Sequence, residues 1–565
     1  MLLNMKILLF AFLHLAIAAP VNKTKRDAAP TVVIPSPRAT IVGKTAYAVE
    51  SFRGIPFAQP PIGKLRLKPP QPLTKALGRV DGTGTPQACP QFDRNLDPND
   101  FPEEARQTLT SIGIFANFTD YGEDCLTIDV QRPARTPGTQ PSKLPVLFWI
   151  YGGGFQIGAT QFYDGTALIR ESVSQGKPII FVCVNYRVGA FGFLAGKKLL
   201  ADRSTNLGLL DQRIGLQWVA DNIVAFGGDP NKVTIWGESA GSASVLSHML
   251  LYNGDHTYKG KPLFRAGIMN SGSVIPAERV DSARAEEVYN TVVNEAGCSG
   301  SIDTLDCLRC VDYTTFHEAS NSVPGVFSYN TVALPYLPRP DGSLLTDSPE
   351  RLISSGKYAK VPFIVGDQED EGTLFALFTA NLTTISDVSE YFSTVFFPGA
   401  DRSVVDDLVA IYETTDGSPY RTGQLNNWYP QYKRVAAIIG DYTFTLTRRV
   451  LLEVSSSVYP NIPSWSYLAT YYYGVPILGT FHGSDLLQLF YAILPNSPGH
   501  AIARYYLSFV YDLNPNSDND LNNWPQWSNG RLLAWFDAAT TSLIADDFRS
   551  SSYEVIRENI EGLRI

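Results

Sequence analysis

The stretch that decides the fold is Val233-Thr234-Ile235-Trp236-Gly237-Glu238-Ser239-Ala240-Gly241, in which an apolar run leads into a Gly-x-Ser-x-Gly string. The apolar run predicts a short buried strand, and the residues after Gly241 favour a helix. Glycines on both sides of Ser239 permit a sharp strand-to-helix turn that exposes the serine hydroxyl at the edge of a sheet. So short a string also occurs by chance, but the strand and the helix predicted on either side of it support its interpretation as a nucleophile turn. Ser239 is therefore the candidate nucleophile.

Apolar runs of similar length recur along the chain and alternate with helical patterns. The runs that predict strands cover residues 144–151, 179–184, 233–236, 361–365 and 465–470. Continuous apolar runs are typical of parallel strands buried on both faces, so the sequence predicts an α/β fold. Residues 31–42 and 55–72 are interpreted as an antiparallel edge with its loops, and residues 553–563 as a last helix.

Composition limits the classes of function. Of the 565 residues, 44% are hydrophobic and 18% are charged, which excludes a disordered chain. The formal net charge of -9 provides no positive field for a phosphate backbone, so no nucleic-acid partner is expected. No repeat, low-complexity tract or linker follows residue 30, and residues 27–565 are predicted to form a single domain.

The N-terminus has the pattern of a targeting segment. An apolar run over residues 7–17 is followed by small residues, which predicts a signal peptide over residues 1–18 and a secreted protein. The run is too short for a transmembrane anchor, and Pro20 follows at once. Residues 19–26 end in the dibasic pair Lys25-Arg26 and are interpreted as a propeptide.

Six cysteines are too few for a disulfide scaffold, although some should pair in a secreted chain. Cys183 lies in an apolar run and is expected to be buried and free. Cys307 and Cys310 have C-x-x-C spacing without a second such pair or a histidine pair, so no metal and no cofactor are expected. Asn117 and Asn381 each begin an Asn-x-Thr triplet and are candidate N-glycosylation sites.

A nucleophilic serine needs a general base, and few histidines are available. The chain after residue 26 contains five: His248, His256, His317, His482 and His500. His248 lies on the helix expected after the nucleophile, which carries it away, while His256 and His317 lie in polar stretches and are expected at the surface. His500 follows Asn496-Ser497-Pro498-Gly499, a composition that is typical of turns. His482 lies in a loop after the run 465–470, near the expected edge of the sheet, and is the candidate base.

The third member must be a carboxylate that orients the imidazole. The run 361–365 ends in a loop that carries four acids close together: Asp367, Glu369, Asp370 and Glu371. Periodicity and propensity do not choose among them, and a solvated acidic loop is the alternative interpretation. The order of a serine, then an acid near 370, then His482 matches the order found in α/β-hydrolases.

Acyl transfer also needs donors for the developing oxyanion. The run 144–151 is followed by Gly152-Gly153-Gly154-Phe155, where backbone N–H groups can approach a substrate without a Cβ in the way. Ala240, directly after the nucleophile, supplies another N–H. A phosphate-binding loop is the rival interpretation, but it lacks the following Lys-Ser/Thr.

These motifs resemble the type-B carboxylesterase/lipase family. Residues 226–230 and 233–241 match its first signature, and Glu123-Asp124-Cys125-Leu126-Thr127-Ile128-Asp129-Val130 resembles its second. The chain is most similar to fungal Candida rugosa-type lipases and sterol esterases, through residues 328–329, 338–342, 370–373 and 479–482. The resemblance spans residues 31–565 and implies one α/β-hydrolase domain, with a large, mostly parallel sheet flanked by helices.

The resemblance assigns roles to individual residues. It implies that Ser239 is the nucleophile, Glu371 the acid and His482 the base, and that Gly153, Gly154 and Ala240 donate to the oxyanion. It further implies the disulfides Cys89–Cys125 and Cys298–Cys307, which leave Cys183 and Cys310 free. Glu238 has a structural role in the family and is not counted among the catalytic residues.

By the same resemblance, the loop closed by Cys89 and Cys125 is a lid within residues 90–124. Its sequence predicts a helix that begins near Asp100, and one face of that helix is apolar. The apolar face contains Phe101, Ala105, Leu109, Ile112 and Ala116. The alternative is a helix packed permanently on the core. Phe375, Leu377 and Phe378 are likewise interpreted as core residues.

Together these features predict a secreted serine esterase that hydrolyses water-insoluble carboxylic esters, namely long-chain acylglycerols and sterol esters, at a lipid–water interface. The alternatives are a carboxylesterase for short, soluble esters and, more remotely, a non-catalytic cholinesterase-like binding protein. The binding protein is disfavoured because every position of the triad is filled. A monomer or a weak homodimer is expected.

Overall fold

The computed structural model describes residues 29–94, 96–111, 120–135, 143–412, 427–471, 475–490, 497–518 and 520–565. Sixteen strands occur within these ranges. In chain order they are β1 (Thr31–Pro35), β2 (Arg38–Val42), β3 (Lys44–Ala46), β4 (Val49–Pro56), β5 (Gly78–Asp81), β6 (Thr127–Pro133), β7 (Leu144–Ile150), β8 (Ile180–Val184), β9 (Gly228–Glu238), β10 (Thr257–Tyr258), β11 (Lys261–Pro262), β12 (Ala266–Asn270), β13 (Phe363–Gln368), β14 (Ser464–Ala469), β15 (Leu532–Phe536) and β16 (Thr541–Ala545).

Eighteen α-helices occur in the same described ranges. They are α1 (Glu103–Ser111), α2 (Thr166–Ser174), α3 (Gly189–Phe193), α4 (Lys197–Asp202), α5 (Leu207–Phe226), α6 (Ala240–Leu250), α7 (Ala283–Glu295), α8 (Thr304–Cys310), α9 (Tyr313–Ser320), α10 (Pro349–Ser354), α11 (Thr373–Ala376), α12 (Ile385–Tyr391), α13 (Arg402–Ile411), α14 (Tyr432–Gly440), α15 (Leu446–Val458), α16 (Ser484–Leu489), α17 (Ser497–Asp512) and α18 (Ser550–Asn559). A π-helical turn, Asp441–Thr445, joins α14 to α15.

Eleven strands form one sheet in the order β16-β15-β14-β13-β12-β9-β7-β8-β6-β4-β3. The seven strands from β15 to β8 are mutually parallel, and the strands outside this block pair antiparallel. Parallel neighbours need crossover connections, and helices supply them here, for example α5 between β8 and β9. The predicted α/β fold with a large, mostly parallel sheet is confirmed.

The centre of the sheet is apolar on both faces, as the continuous runs predicted. Residues 145–150 of β7 and all of β8 are buried. Trp149 of β7 lies directly opposite Trp236 of β9, and their ring centroids are 4.4 Å apart. This contact fixes the register of the strand that leads into the Gly-x-Ser-x-Gly string.

The five predicted strands correspond to β7, β8, β9, β13 and β14, with ends shifted by a few residues. The expected antiparallel edge at residues 31–42 is wrong in its placement, because β1 and β2 form a separate sheet with β5. The edge of the main sheet is made by β3 and β4. The last helix, α18, ends at Asn559, and the apolar residue Leu563 is buried in the turn beyond it.

Candidate active site

Ser239 occupies the turn between β9 and α6, with φ 57° and ψ −125°. A residue with a side chain adopts this backbone conformation only under strain, and such strain is typical of functional sites. The flanking glycines are required by close approach: a Cβ on Gly241 would meet the carbonyl group of Ile150 in β7. The Ser239 N–H donates to the carbonyl of Asn270 at the end of β12, at 2.9 Å. Two neighbouring strands therefore hold the turn.

The structure brings Ser239, His482 and Glu371 into one hydrogen-bonded line. His482 Nε2 lies 2.8 Å from Ser239 Oγ, and Nδ1 lies 2.5 Å from Glu371 Oε2. The other carboxylate oxygen, Oε1, accepts from the backbone N–H of Gln368 at 2.7 Å. With Nδ1–H directed to Glu371, the neutral imidazole presents the Nε2 lone pair to the serine hydroxyl, which is the arrangement of a general base.

The other acids of the same loop contact different groups. Asp367 pairs with Arg448 at 2.7 Å, and Asp370 Oδ2 accepts from the backbone N–H of Thr480 at 2.7 Å. Among the four acids that the sequence left open, the imidazole therefore contacts Glu371, as the family resemblance implied. The side chains of Asp370 and Glu371 both reach the loop after β14, but Asp370 bonds to its backbone and Glu371 bonds to the imidazole.

The remaining histidines lie elsewhere. His248 is buried in α6, where its Nε2 lies 3.0 Å from Gln212 Oε1, and its burial lowers its pKa to about 3. His317, expected at the surface, is instead buried, and its Nε2 lies 2.7 Å from the carbonyl oxygen of Gln91. The polar residues around His317 in sequence concealed its position, because they lie on the outer face of the short helix α9.

Two aromatic rings enclose the imidazole of His482. The centroid of Phe444 is 4.5 Å from the imidazole centroid, and that of Phe375 is 5.1 Å away. Phe444 projects from the π-helical turn Asp441–Thr445. Phe375, predicted as a core residue, is buried and also contacts the imidazole, whereas Phe444 was not among the predicted residues. An apolar residue beside a catalytic group carries no signal of its own in a single sequence.

A second carboxylate lies beside the triad. Glu238 Oε1 is 3.4 Å from His482 Nε2, and burial raises the pKa of Glu238 to about 8. Burial alone would lower the pKa of His482, but the carboxylates of Glu371 and Glu238 outweigh it and leave the imidazole pKa above its ordinary value. Sequence adjacency to Ser239 was the one available signal for Glu238.

The glycine loop after β7 lies across from the serine. Gly153 has φ 107° and Gly154 has φ 61°, a region that favours glycine. The Gly153 carbonyl accepts from the N–H groups of Gln156 and Ile157, both at 3.0 Å, so the loop folds back on itself. Among the described residues, the N–H groups of Gly153, Gly154 and Ala240 have no acceptor, and Ala240 lies in the first turn of α6, where N–H groups are left free.

A cavity of about 370 Å³ opens above these groups. Ser239, His482 and the glycine loop lie on its lining, together with Arg94 from the start of the disulfide-closed loop. Most of the remaining wall is apolar and includes Val326, Leu334, Leu337, Leu374, Phe375 and Phe444. A cavity of this size with few polar groups suits an apolar ligand that is oriented by contacts at one end.

Both cysteine pairs implied by the resemblance are bonded, with S–S distances of 1.99 Å for Cys89–Cys125 and 2.07 Å for Cys298–Cys307. Cys183 is free and buried, and Cys310 is free and exposed. Of the candidate glycosylation sites, Asn381 is exposed, whereas Asn117 lies outside the described residues.

The apolar face of α1 is buried where the structure describes it. Phe101, Ala105 and Leu109 are at most 8% exposed, while Ile112 and Ala116 lie outside the described residues. The ring centroid of Phe101 is 5.5 Å from that of Phe378, which in turn is 5.8 Å from Phe327 on the cavity wall. The residue two positions before α1 thus packs beside the cavity.

Within the described ranges, no group of three or more His, Cys, Asp or Glu side chains could hold a metal ion. The described helices also include none that is both long and apolar enough to cross a membrane.

Comparison with known proteins agrees with this geometry. A family model described as the carboxylesterase family matches residues 29–553. The chain is 55% identical to secreted lipase 1 of Botryotinia fuckeliana, over 99% of each chain. It is 52% identical to a secreted triacylglycerol lipase of Gibberella zeae, over 96% of this chain and 93% of that one. The crystal structure of Aspergillus niger EstA superposes with a TM-score of 0.79 at 29% identity, covering 95% of this chain and 100% of EstA. The chain belongs to the carboxylesterase family.

Proposed function

We propose that this protein is a secreted serine esterase that hydrolyses water-insoluble carboxylic esters, long-chain acylglycerols and sterol esters, through an acyl-enzyme on Ser239. The observation that carries the proposal is the contact of Ser239 with His482, and of His482 with Glu371, at the base of an apolar cavity. The names of the two fungal relatives, both secreted lipases, support the substrate class and the secretion.

In the first step, Ser239 Oγ attacks the ester carbonyl carbon while His482 Nε2 takes its proton, and Glu371 stabilises the imidazolium. The carbonyl oxygen becomes an oxyanion and accepts hydrogen bonds from the N–H groups of Gly153, Gly154 and Ala240. When the tetrahedral intermediate collapses, His482 returns the proton to the leaving alcohol. Water then attacks the acyl-enzyme by the same route and releases the carboxylic acid.

The proposal extends to the rest of the chain. Residues 1–18 are a signal peptide, residues 19–26 a propeptide, and residues 27–565 a single catalytic domain with a lid within residues 90–124. Asn117 and Asn381 are the glycosylation sites, and the protein is a monomer or a weak homodimer that works at a lipid–water interface. Mass spectrometry of the secreted protein tests the processing and the glycans, and sedimentation tests the oligomeric state.

The first prediction concerns the nucleophile. We expect Ser239→Ala to leave a folded, secreted protein whose esterase activity is at least about a thousandfold lower, because no acyl-enzyme can form. The matched control is Ser247→Ala in α6, the helix that follows Ser239, where the hydroxyl donates to the Ala243 carbonyl at 2.8 Å. A Ser239→Ala protein that keeps a tenth of the wild-type activity would refute the assignment, as would a phosphonate that labels another residue.

The substrate class is tested with p-nitrophenyl esters from acetate to palmitate, alongside triolein and cholesteryl oleate. Each methylene group that the apolar cavity buries is worth about 0.8 kcal/mol, or about a fourfold gain in kcat/KM, until the acyl chain outgrows the cavity. A rise through the long esters and turnover of the emulsions support a lipase. A maximum at acetate or butyrate would indicate an esterase for short esters, and no turnover of any ester would indicate a binding protein.

A further inference from the structure

The side-chain amide of Gln91 is bound to the loop that carries the oxyanion donors. Gln91 is 3% exposed. Its Oε1 accepts from the N–H of Gly158 at 2.8 Å, and its Nε2 donates to the carbonyl of the same residue at 3.0 Å. Nε2 also donates to the carbonyl of Cys89 at 2.7 Å. One side chain therefore satisfies both backbone groups of Gly158.

Gly158 ends the glycine loop, at a position where a side chain would not fit. It has φ 123°, and a Cβ at this position would lie 2.7 Å from the carbonyl oxygen of Gly152 and also overlap the ring of Tyr151. Phe92, the residue after Gln91, also bonds to the glycine loop. Its N–H donates to the carbonyl of Gln156 at 3.0 Å. Residues 91–92 therefore hold the far side of the turn that begins at Gly153.

Gln91 is itself held in place by α9 and the residue after it. His317 Nε2 donates to the Gln91 carbonyl at 2.7 Å, and Asn321 Oδ1 accepts from the N–H of Asp93 at 2.6 Å. Backbone groups on both sides of the Gln91 side chain are thus fixed. The amide is a rigid bridge between the start of the disulfide-closed loop and the glycine loop.

We infer that Gln91 is a positioning residue for the reaction: its amide clamps Gly158 and so holds the N–H groups of Gly153 and Gly154 where the oxyanion forms. The inference rests on the proposed function. A donor stabilises the transition state only at hydrogen-bond distance from the developing charge, and a displacement of about 1 Å can cost on the order of a hundredfold in rate. Substrate binding depends far less on this loop, because the apolar wall of the cavity supplies most of the contacts with the substrate.

The test compares Gln91→Met with Gln87→Met on p-nitrophenyl butyrate. Methionine has a similar volume but cannot bond to Gly158. Gln87 lies four residues earlier, and its amide bonds to Asp120 at 3.1 Å at the protein surface. We expect Gln91→Met to lower kcat at least about tenfold with KM changed less than about threefold, and Gln87→Met to leave both constants near wild type. Binding of butaneboronic acid, which forms a tetrahedral adduct on the serine, should weaken in parallel with kcat/KM.

A second variant, Gln91→Glu, has a readout that a purely structural role would not move. Protonated glutamic acid keeps an acceptor and one of the two donors that Gln91 uses, whereas the carboxylate has no donor and would face the carbonyls of Cys89 and Gly158. The ratio of its kcat to that of wild type should therefore rise as the pH is lowered. Gln91→Glu also tests the inference if Gln91→Met does not fold.

The inference is overturned if folded Gln91→Met keeps the wild-type kcat and only its thermal stability falls, or if the Gln91→Glu ratio does not change with pH. Ser239→Ala separates this failure from failure of the proposed function. If Ser239→Ala is inactive and Gln91→Met is fully active, only the role of Gln91 is wrong. If Ser239→Ala is active, the proposed function itself fails.

Discussion

Glu371 is set apart from the neighbouring acids by what its two oxygens accept, one from the His482 imidazole and the other from the Gln368 N–H. A glutamine there would turn an NH2 group toward one of these donors and favour the wrong imidazole tautomer. We expect Glu371→Gln to lower kcat by about 10³–10⁴. Asp370→Asn and Glu369→Gln, assayed beside it, should each cost less than about tenfold. Equal losses in all three variants would mean that the loop acts through its total charge.

The imidazole environment also predicts a pH dependence. Because the neighbouring carboxylates raise the pKa of His482 above its ordinary value, the base becomes protonated, and catalysis is lost, as the pH falls through that raised pKa. We expect kcat/KM for a soluble ester to fall on the acid side with a midpoint above about 6.5. Circular dichroism over the same pH range checks that the protein stays folded. A midpoint below 6.5 would show that burial, which lowers the pKa, dominates.

Individual site residues could be predicted from the sequence where a reactive side chain also lies at a recognisable position in the predicted fold. Ser239 lies in a motif with strand and helix on either side, and His482 was the one histidine expected at the right edge of the sheet. The acid was not determined by periodicity, because which of four nearby carboxylates faces the imidazole depends on the backbone turn after β13. Gln91 and Phe444 could not be found, since their roles arise from contacts between segments far apart in the chain.

Among the elements, helix α1 offers a test of the proposed lid. Its buried residue Leu109 is 1% exposed, and burial of a leucine side chain is worth roughly 1.5–3 kcal/mol. If the helix face moves between the cavity rim and a lipid surface, Leu109→Ser should lower activity on emulsified triolein and spare dissolved p-nitrophenyl butyrate. Thr110→Ser, an exposed position on the same helix, is the control. A parallel loss of both activities and of thermal stability would identify the helix as part of the core.

The strands show which elements a single sequence reveals. The five predicted runs are short and mostly apolar, and all five are strands of the main sheet. Strand β12 was missed, because its five residues, Ala-Gly-Ile-Met-Asn, contain a glycine and end in a polar side chain that is buried. In the folded protein the side chain of that asparagine exchanges water for hydrogen bonds with Trp236, Asp485 and Tyr506. Strands β1 and β2 were found but placed in the wrong sheet, since pairing partners are not encoded by periodicity.

On the scale of the whole molecule, the order of the strands assembles the site. Ser239, the proposed nucleophile, follows β9, the glycine loop follows β7, Glu371 follows β13 and His482 follows β14. These strands lie in the order β14-β13-β12-β9-β7 and are parallel, so all four loops leave the same edge of the sheet. Residues separated by 243 positions thereby meet at 2.8 Å.

One buried ionic cluster joins distant parts of this sheet. Arg448 in α15 donates from Nε to Asp367 of β13 at 2.7 Å and from its two terminal nitrogens to Asp546, after β16, at 2.8 and 2.9 Å. All three side chains are at most 1% exposed. Burial works to raise the pKa of Asp546, but Arg448 and Arg449 outweigh it and hold that pKa well below its ordinary value. Asp367 pairs with this guanidinium, whereas Asp546 pairs with it and also with Arg449, at 2.8 Å.

Arg448→Met would remove the arginine that pairs with Asp367 and one of the two arginines that pair with Asp546, and losing one partner of a buried ion pair costs about 3–5 kcal/mol. We expect the free energy of unfolding to fall by about that amount, measured by urea unfolding followed through tryptophan fluorescence. The control is Arg402→Met, whose partners Glu390 and Asp406 are half exposed or more, and which should cost less than about 1 kcal/mol. Equal effects of the two substitutions would mean that the cluster relaxes or admits water when its arginine is lost, and that the sheet is held together by its apolar core alone.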